Sequence, residues 1–264
     1  MLRTRVISAI VLLAIVAIPL ILGGLPFFVL VAAFGLIATY EFVILFRKGQ
    51  HAPMLIVAAA LTLAFIAQAQ WPALLPLAPL LTAAVIASLI ASLWNKSEHP
   101  ASDWALTLAG ALYVGWLLSN FVRLRAQDQG LYWVLLGALA IWTADATAYF
   151  SGRAYGKHPW WPRHSPKKTW EGYLTGAAAA TVVTAVLGVL LLQLSPLEAA
   201  ALGLLIGLAA PLGDLAESMI KREVGAKDSS NFIPGHGGFL DRLDSLLITI
   251  PIVYYWATVL PRWG

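Results

Sequence analysis

The chain has 264 residues, of which 60% are hydrophobic and only 11% are charged, whereas soluble domains are about 45–50% apolar and about 25% charged. This composition excludes a water-soluble fold. The net charge of +4 does not suggest nucleic-acid binding, which needs basic residues clustered on a soluble module, so we expect no nucleic-acid partner. Because cysteine is absent, disulfides and thiolate chemistry are excluded and a metal would need oxygen or histidine ligands.

The first apolar run begins close to the N-terminus. Residues 1–5 include two arginines and precede the apolar residues 6–22, a pattern that signal peptides share with first transmembrane helices. The run is long enough to span a bilayer and comparable runs follow it, so we interpret it as a transmembrane helix.

Further apolar runs of similar length follow along the whole chain. We therefore predict an all-α, polytopic integral membrane protein with about nine transmembrane helices. The runs cover residues 6–22, 25–46, 54–69, 72–94, 103–121, 131–150, 172–193, 197–220 and 244–260. Very short turns join the first run to the second and the third to the fourth, so re-entrant hairpins are the alternative for these two pairs.

The basic residues predict the orientation. With a cytoplasmic N-terminus, only Arg123, Arg125 and Arg262 of the 17 lysines and arginines lie on the far side of the membrane. Cytoplasmic segments carry an excess of lysine and arginine, so we predict that the N-terminus is cytoplasmic. We expect the membrane to be a bacterial inner (plasma) membrane, in contact with membrane lipids.

We predict a single membrane domain over residues 1–264, with no internal repeat of the kind found in transporters. Residues 1–121 would form N-terminal helical hairpins, and residues 131–264 would form a catalytic half. That half contains two long polar connections, 151–171 and 221–243, both on the predicted cytoplasmic side. The chemistry is therefore expected in these loops.

The first polar loop carries candidate lipid-binding cations. Ser165-Pro166 predicts a helix start, with serine as the cap and proline at the first position. Lys167 and Lys168 would then lie at a helix N-terminus, where cations and backbone N–H groups can hold a lipid phosphate; ordinary attraction to anionic headgroups is the alternative. Asp145, inside the sixth span, needs a polar partner and suggests a functional site.

The densest polar segment begins inside the eighth span. Five of its residues share one face of a helix: Asp214, Glu217, Ser218, Lys221 and Arg222. Interfacial anchoring could explain the two cations, but an acid a turn or more inside a span indicates function because it is costly there. Pro211 and Gly213 predict a loosened helix just before Asp214, and a broken helix at membrane depth usually lines a cavity.

A glycine-rich stretch follows, with Pro-Gly-His-Gly-Gly at residues 234–238. Glycine backbone can approach a ligand closely and its N–H groups suit an anion, although a plain turn is the alternative. The next helix begins with residues 241–244, in which Asp241 and Asp244 share a face. Two acidic helix ends beside such a loop indicate a Mg²⁺-bound polyphosphate, because Mg²⁺ prefers one or two carboxylates plus phosphate oxygens. His236 could be a ligand, a phosphate donor or a loop hydrogen bonder.

The same segment contains Ser-Met-Ile-Lys-Arg at 218–222, Lys-Asp at 227–228 and His-Gly-Gly-Phe-Leu-Asp-Arg-Leu-Asp at 236–244. This combination resembles the signature of the phosphatidate cytidylyltransferases, also called CDP-diacylglycerol synthases. Residues 149–153 and 165–172 are also similar to that family, whereas the first 120 residues match it only as a hydrophobic pattern. The chain departs from the family in having Asp-Ala-Thr-Ala-Tyr from Asp145 onward, where the family more usually has a glycine as third residue.

The resemblance implies that CMP passes from CTP to phosphatidate, giving CDP-diacylglycerol and pyrophosphate. It implies Mg²⁺ or another divalent metal on Asp214 and Asp241, and a homodimer. The predicted catalytic residues are Asp214, Lys221, Arg222, Asp241, Arg242 and Asp244. The predicted substrate-binding residues are Asp145, Lys167, Lys168, Ser218, Lys227, Asp228, His236, Gly237 and Gly238.

Three other functions are weighed against this one. A CDP-alcohol phosphotransferase would carry an Asp-Gly-x₂-Ala-Arg…Gly-x₃-Asp-x₃-Asp pattern, which the sequence lacks. A transporter would spread its intramembrane acids across the bilayer, whereas here the charges gather at one predicted face. A CTP-dependent lipid kinase is the alternative that shares most features, and the His-Gly-Gly-x₂-Asp-Arg-x-Asp run favours the cytidylyltransferase over it.

Overall fold

The computed structural model describes residues 14–163, 165–230, 232 and 237–259, and these residues are mostly helical. Helix α1 covers residues 14–22. The other helices are α2 (Gly24–Lys48), α3 (Leu55–Gln70), α4 (Leu77–Ser92), α5 (Pro100–Gly110), α6 (Leu117–Arg125), α7 (Gly130–Tyr155), α8 (Trp170–Leu192), α9 (Pro196–Glu223) and α10 (Asp244–Thr258). A π-helical turn, Ala111–Trp116, joins α5 to α6, and a 3₁₀ turn, Leu240–Arg242, precedes α10.

Long apolar helices dominate the chain, as the composition predicts. Within the described residues, five helices are long and apolar enough to cross a membrane: α2, the continuous helix Pro100–Arg125, α7, α8 and α9. Helices α3 and α4 are apolar but shorter. The prediction of an all-α, polytopic membrane protein is therefore confirmed. The total of nine crossings and the cytoplasmic N-terminus stay predictions, and part of the first predicted span, residues 6–13, lies outside the described residues.

The chain divides into two compact units. The first comprises Met1–Ala126 and Lys221–Arg242, and the second comprises Gln127–Ile220 and Leu243–Gly264. The boundary between them falls within α9, after Ile220. The polar residues singled out in the sequence are thus distributed between two units, each of which has its own packing.

In the first unit, α2 and α3 are connected by two buried threonines. Thr39 Oγ1 and Thr62 Oγ1 lie 2.8 Å apart, and both residues are fully buried. Gly115 of the π-helical turn packs against the same point of α3, since a Cβ there would lie 2.6 Å from Thr62 Cα. Small residues and hydroxyl pairs of this kind allow helices to approach closely in apolar surroundings.

In the second unit, glycines bring α7, α8 and α9 into close contact. A Cβ on Gly176 of α8 would lie 2.8 Å from the Ala144 carbonyl oxygen of α7. A Cβ on Gly207 of α9 would lie 2.6 Å from Ala177 Cα of α8. Backbone therefore packs directly on backbone across these helix pairs.

The segment between α7 and α8 forms a β-hairpin, and this corrects the predicted helix start at Ser165. Strand β1 (Pro159–Trp161) pairs antiparallel with β2 (Ser165–Thr169). Helix α8 begins only at Trp170, and the Thr169 hydroxyl accepts a hydrogen bond from Gly172 N at 3.2 Å. Strand pairing extends the backbone up to Thr169, so Thr169 takes the capping role that the sequence suggested for Ser165.

Helix α9 runs unbroken through Pro211, so the loosening predicted there is wrong. Prolines are tolerated in membrane helices when neighbouring groups satisfy the exposed carbonyls. Pro211 removes a single backbone hydrogen bond, the one to the Gly207 carbonyl four residues earlier, and nearby the Tyr173 hydroxyl donates to the Leu208 carbonyl at 3.2 Å and Lys168 Nζ to the Pro211 carbonyl at 3.4 Å. Gly213 serves close packing rather than flexibility, because a Cβ there would lie 2.5 Å from the carbonyl oxygen of Asp244 at the start of α10.

We expect the Gly176→Leu substitution to destabilise the second unit, because the new side chain would have to enter the α7–α8 contact. Overpacking of this kind costs about 1–3 kcal/mol, which should lower the Tm of the detergent-solubilised protein. Ala178→Leu is the matched control, since Ala178 is an exposed residue of the same helix. Equal Tm values for the two variants would contradict the tight packing at Gly176.

Candidate active site

A polar cluster in the second unit joins the β-hairpin to helix α9; we call its members Asp145, Lys168, Asp214 and Ser218 the acid–lysine cluster. Lys168 Nζ lies 2.7 Å from Asp214 Oδ2, and the Ser218 hydroxyl donates to Asp214 Oδ1 at 3.2 Å. Asp145 of α7 lies close enough to interact electrostatically with both Lys168 and Asp214. Two acids and one lysine from three separate elements thus share one site.

Local structure explains how these residues meet. Asp214 and Ser218 are four residues apart on α9, so their side chains lie one above the other on one face. Lys168 is the penultimate residue of β2, directly before the cap of α8. The hairpin therefore places Lys168 beside Asp214, an acid within a membrane helix, where a carboxylate needs such a partner.

A second cluster, in the first unit, is organised by Asp241. Asp241 Oδ1 lies 2.5 Å from the ammonium group of Lys221, which is itself buried. Asp241 Oδ2 accepts hydrogen bonds from Ser229 N at 3.0 Å, Ser229 Oγ at 3.0 Å and Gly238 N at 2.8 Å. One carboxylate thus binds the end of α9 and both ends of the segment 229–240, which we call the glycine loop.

The structure describes two glycines of this loop, Gly237 and Gly238, and a different constraint requires glycine at each position. Gly237 has φ +81°, a left-handed conformation that glycine adopts without strain. A Cβ on Gly238 would lie 1.8 Å from Ser229 Oγ, so only glycine fits there. The Gly238 N–H donates to Asp241, and a role for these glycines in anion binding stays a prediction.

Glu41 belongs to the same cluster, and the sequence analysis missed it. It is 1% exposed, and its carboxylate accepts hydrogen bonds from both ends of the glycine loop. The signal was present, because an acid in the middle of the apolar run 25–46 indicates function by the same argument that singled out Asp214.

The other predicted residues lie around these clusters. Arg222 is exposed and donates to the Ala226 carbonyl at 2.9 Å, beyond the end of α9. Asp244 Oδ1 accepts from Ser245 N at 2.6 Å at the start of α10. The exposed predicted residues include Lys167 on β2, Lys227 and Asp228 before the glycine loop, and Arg242 in the 3₁₀ turn. His236 lies outside the described residues.

The carboxylates fit a divalent metal, with a restriction at Asp241. Asp214 is 39% exposed at its side chain, and each of its oxygens makes one of the contacts given above, whereas a carboxylate has about four lone-pair sites. Three donors approach Asp241 Oδ2, so a metal would have to bind Oδ1. Among the described residues, no group of three or more histidines and acids is placed to hold a metal. A metal on either carboxylate would therefore need other ligands, and Mg²⁺ commonly takes substrate phosphate oxygens.

These ion pairs lie in a chain whose long apolar helices are of the kind that cross a membrane. The chain belongs to the cytidylyltransferase family, whose family model matches residues 3–260. The resemblance seen in the sequence is thereby confirmed, and it extends over the N-terminal half as well.

Relatives named phosphatidate cytidylyltransferase align with this chain over almost their whole length. A phosphatidate cytidylyltransferase of Bacillus subtilis is 31% identical over 96% of this chain and 94% of its own. One of Synechocystis is 36% identical over 97% of this chain and 96% of its own. One of Brucella abortus is 34% identical over 98% of this chain and 94% of its own.

We expect Asp241→Ala to lower the stability of the first unit. The substitution would remove the carboxylate from the buried Lys221, and breaking a buried ion pair costs about 3–5 kcal/mol. The measurement is the Tm in detergent, with Glu223→Ala, at an exposed position of α9, as the control. A Tm as high as that of the control would mean that the Asp241 contacts contribute nothing to folding.

Proposed function

We propose that the chain is a nucleotidyltransferase that transfers CMP from CTP to phosphatidate, giving CDP-diacylglycerol and pyrophosphate in phospholipid biosynthesis. The observation that carries this function is the near full-length match to proteins named phosphatidate cytidylyltransferase. The two clusters of carboxylates and cations support it, because both substrates are polyanionic phosphates.

The reaction requires little acid–base chemistry. A phosphatidate oxygen attacks the α-phosphorus of CTP, a new P–O bond forms, and the bond from the α-phosphorus to the bridging oxygen breaks to release pyrophosphate. The attacking phosphate monoester is largely ionised near neutral pH, since its second pKa is about 6. No strong general base is needed, so positioning and charge neutralisation account for catalysis.

Cations in and beside the clusters would supply part of that neutralisation. We propose that Lys221, Arg222 and Arg242 offset the charge that builds on the leaving pyrophosphate. Lys168, which binds Asp214 in the structure, would hold a substrate phosphate with the help of Lys167. The remaining predicted substrate-binding residues, Asp145, Ser218, Lys227, Asp228, His236, Gly237 and Gly238, are assigned on the resemblance and on their places in or beside the clusters.

The acids would hold the metal. We propose that Asp214, and Asp241 through its Oδ1, are ligands of Mg²⁺. Held there, a divalent cation would supply positive charge to the triphosphate oxygens. Asp244, which lies three residues after Asp241, would line the CTP and phosphate site.

The site is proposed to face the cytoplasm of a bacterial inner membrane. The polar loops 151–171 and 221–243 hold most of the chain's basic residues, and lysine and arginine concentrate on the cytoplasmic side. CTP is a cytoplasmic nucleotide, whereas phosphatidate is reached from within the bilayer. A homodimer is proposed on the resemblance alone.

The direct test is incubation of purified protein with phosphatidate, Mg²⁺ and CTP labelled at the α-phosphate, with label followed into the lipid phase. We expect labelled lipid from the wild-type protein. The rate at which labelled lipid forms should fall by roughly two orders of magnitude in Asp214→Ala and Asp241→Ala, the scale on which losing one transition-state contact lowers turnover. The Asp241→Ala assay must be run below its reduced Tm.

Asp128→Ala, at an exposed loop position, is the matched control and should keep wild-type transfer. Near-normal transfer by a folded Asp214→Ala protein would refute its assignment. Transfer of label from γ-labelled but not α-labelled CTP would instead identify a CTP-dependent lipid kinase.

Metal dependence is a separate prediction. Dialysis against a chelator should abolish transfer, because the clusters alone leave the triphosphate charge unneutralised, and added Mg²⁺ should restore it. The same treatment should leave the Tm of the substrate-free protein nearly unchanged, since Lys168 and Lys221 already pair with the acids. Full activity after exhaustive chelation would contradict the metal assignment.

A further inference from the structure

Glu41 is a fully buried acid within a helix that is long and apolar enough to span the membrane. Four donors surround its carboxylate: Ser229 Oγ at 3.2 Å, Ser230 Oγ, Phe239 N at 2.9 Å and Leu240 N at 2.6 Å. Two of them belong to the beginning of the glycine loop and two to its end. The side chain thus ties the two ends of the loop to each other and to α2.

The contacts leave the carboxylate no further capacity. Oε1 accepts from Ser230 Oγ and Phe239 N, and Oε2 accepts from Ser229 Oγ and Leu240 N. Three donors and the Ser229 hydroxyl, whose proton Asp241 shares, approach the four lone-pair sites of the carboxylate. Glu41 is therefore suited to neither proton transfer nor metal binding, and its action has to pass through the residues it holds.

The contact network continues from Glu41 to the cluster around Asp241. The Ser229 hydroxyl lies within hydrogen-bond distance of both Glu41 Oε2, at 3.2 Å, and Asp241 Oδ2, at 3.0 Å. One hydroxyl has a single proton, so the two carboxylates share it. Asp241 in turn contacts Lys221. A displacement at Glu41 would therefore reach the residues that are proposed to hold the metal and the leaving group.

Apolar packing on the same helix supports this geometry. Phe34 lies seven residues before Glu41, two turns along the same face of α2, and its ring centroid is 4.6 Å from that of Phe239. The apolar contact alone would attach the end of the loop to α2. A buried carboxylate is a costly addition in such surroundings, and the backbone N–H groups of Phe239 and Leu240 specify where the loop must lie.

We propose that Glu41 is a positioning residue for cytidylyl transfer, which it serves by fixing the two ends of the glycine loop so that Asp241 and Lys221 meet CTP in a defined geometry. This inference rests on the proposed function of the loop. Positioning is decisive in a reaction without strong acid–base steps, because misplacing reacting groups by about 1 Å can cost on the order of 100-fold in rate.

Glu41→Gln is the informative variant, because it keeps the size of the side chain and replaces one acceptor oxygen by an NH₂ group. That group would face two donors, so half of the contacts would be lost. Glu41→Asp keeps both acceptor oxygens on a shorter stem and should restore part of the function. Glu98→Gln, at an exposed loop position, is the matched control.

Two measurements test the proposal. The first is the rate of trypsin cleavage after Lys227, two residues before the loop, because proteases need a locally unfolded segment. We expect faster cleavage in Glu41→Gln than in wild type or Glu98→Gln. The second is steady-state transfer, in which kcat/KM for CTP should fall by roughly 10- to 100-fold, with a raised KM for CTP and partial recovery in Glu41→Asp.

The possible outcomes separate the explanations. A merely structural role would reduce the number of active molecules and so lower kcat at unchanged KM, which would overturn the proposal, as would unchanged cleavage at Lys227. Absence of transfer by the wild-type protein would refute the proposed function instead, and the cleavage assay would still decide whether Glu41 anchors the loop.

If Glu41→Gln does not fold, Ser230→Ala removes one donor and should show smaller changes in cleavage and in kcat/KM of the same kind. Wild-type behaviour of a folded Ser230→Ala would overturn the proposal.

Discussion

Hydrocarbon offers no hydrogen-bond donors, so an acid carried by an apolar helix must be met by donors from the protein itself. This requirement governs the structure around both clusters. Asp214 on α9 is met by Lys168 from the β-hairpin, and Glu41 on α2 is met by both ends of the glycine loop. Contacts with the acids thus determine where the polar loops lie. Close packing at glycines and threonines determines how the helices that carry the acids pack.

The same contacts involve the groups that the proposed phosphate transfer would use. In the structure, each of the two proposed metal ligands is paired with a lysine: Asp214 with Lys168 and Asp241 with Lys221. Such pairing keeps the charges satisfied without substrate. In the proposed reaction, each acid would be available to a metal and each lysine to a phosphate oxygen.

Much of the fold and part of the site could be predicted. Apolar runs of sufficient length predict helices wherever they occur, and the predicted runs overlap the observed helices from α2 to α10. The family resemblance rested on a contiguous stretch, Ser218 to Asp244, and was therefore readable without tertiary contacts. The helix start at Ser165 was wrong because strand pairing with β1, a tertiary interaction, outweighed a favourable capping sequence. The expected loosening at Pro211 was wrong because a proline removes only one backbone hydrogen bond, and α9 continues through it with Lys168 and Tyr173 bound to carbonyls of the neighbouring turns.

The sequence by itself determined that the chain is a helical membrane protein, which residues carry charge into its helices, and to which family it belongs. These properties follow from composition, from the length of apolar runs and from a local motif. Only the tertiary structure decided which donor meets which acid. Glu41 and Leu240, which are 199 residues apart in sequence, form a hydrogen bond that no local pattern encodes, because it depends on how α2 packs against the glycine loop.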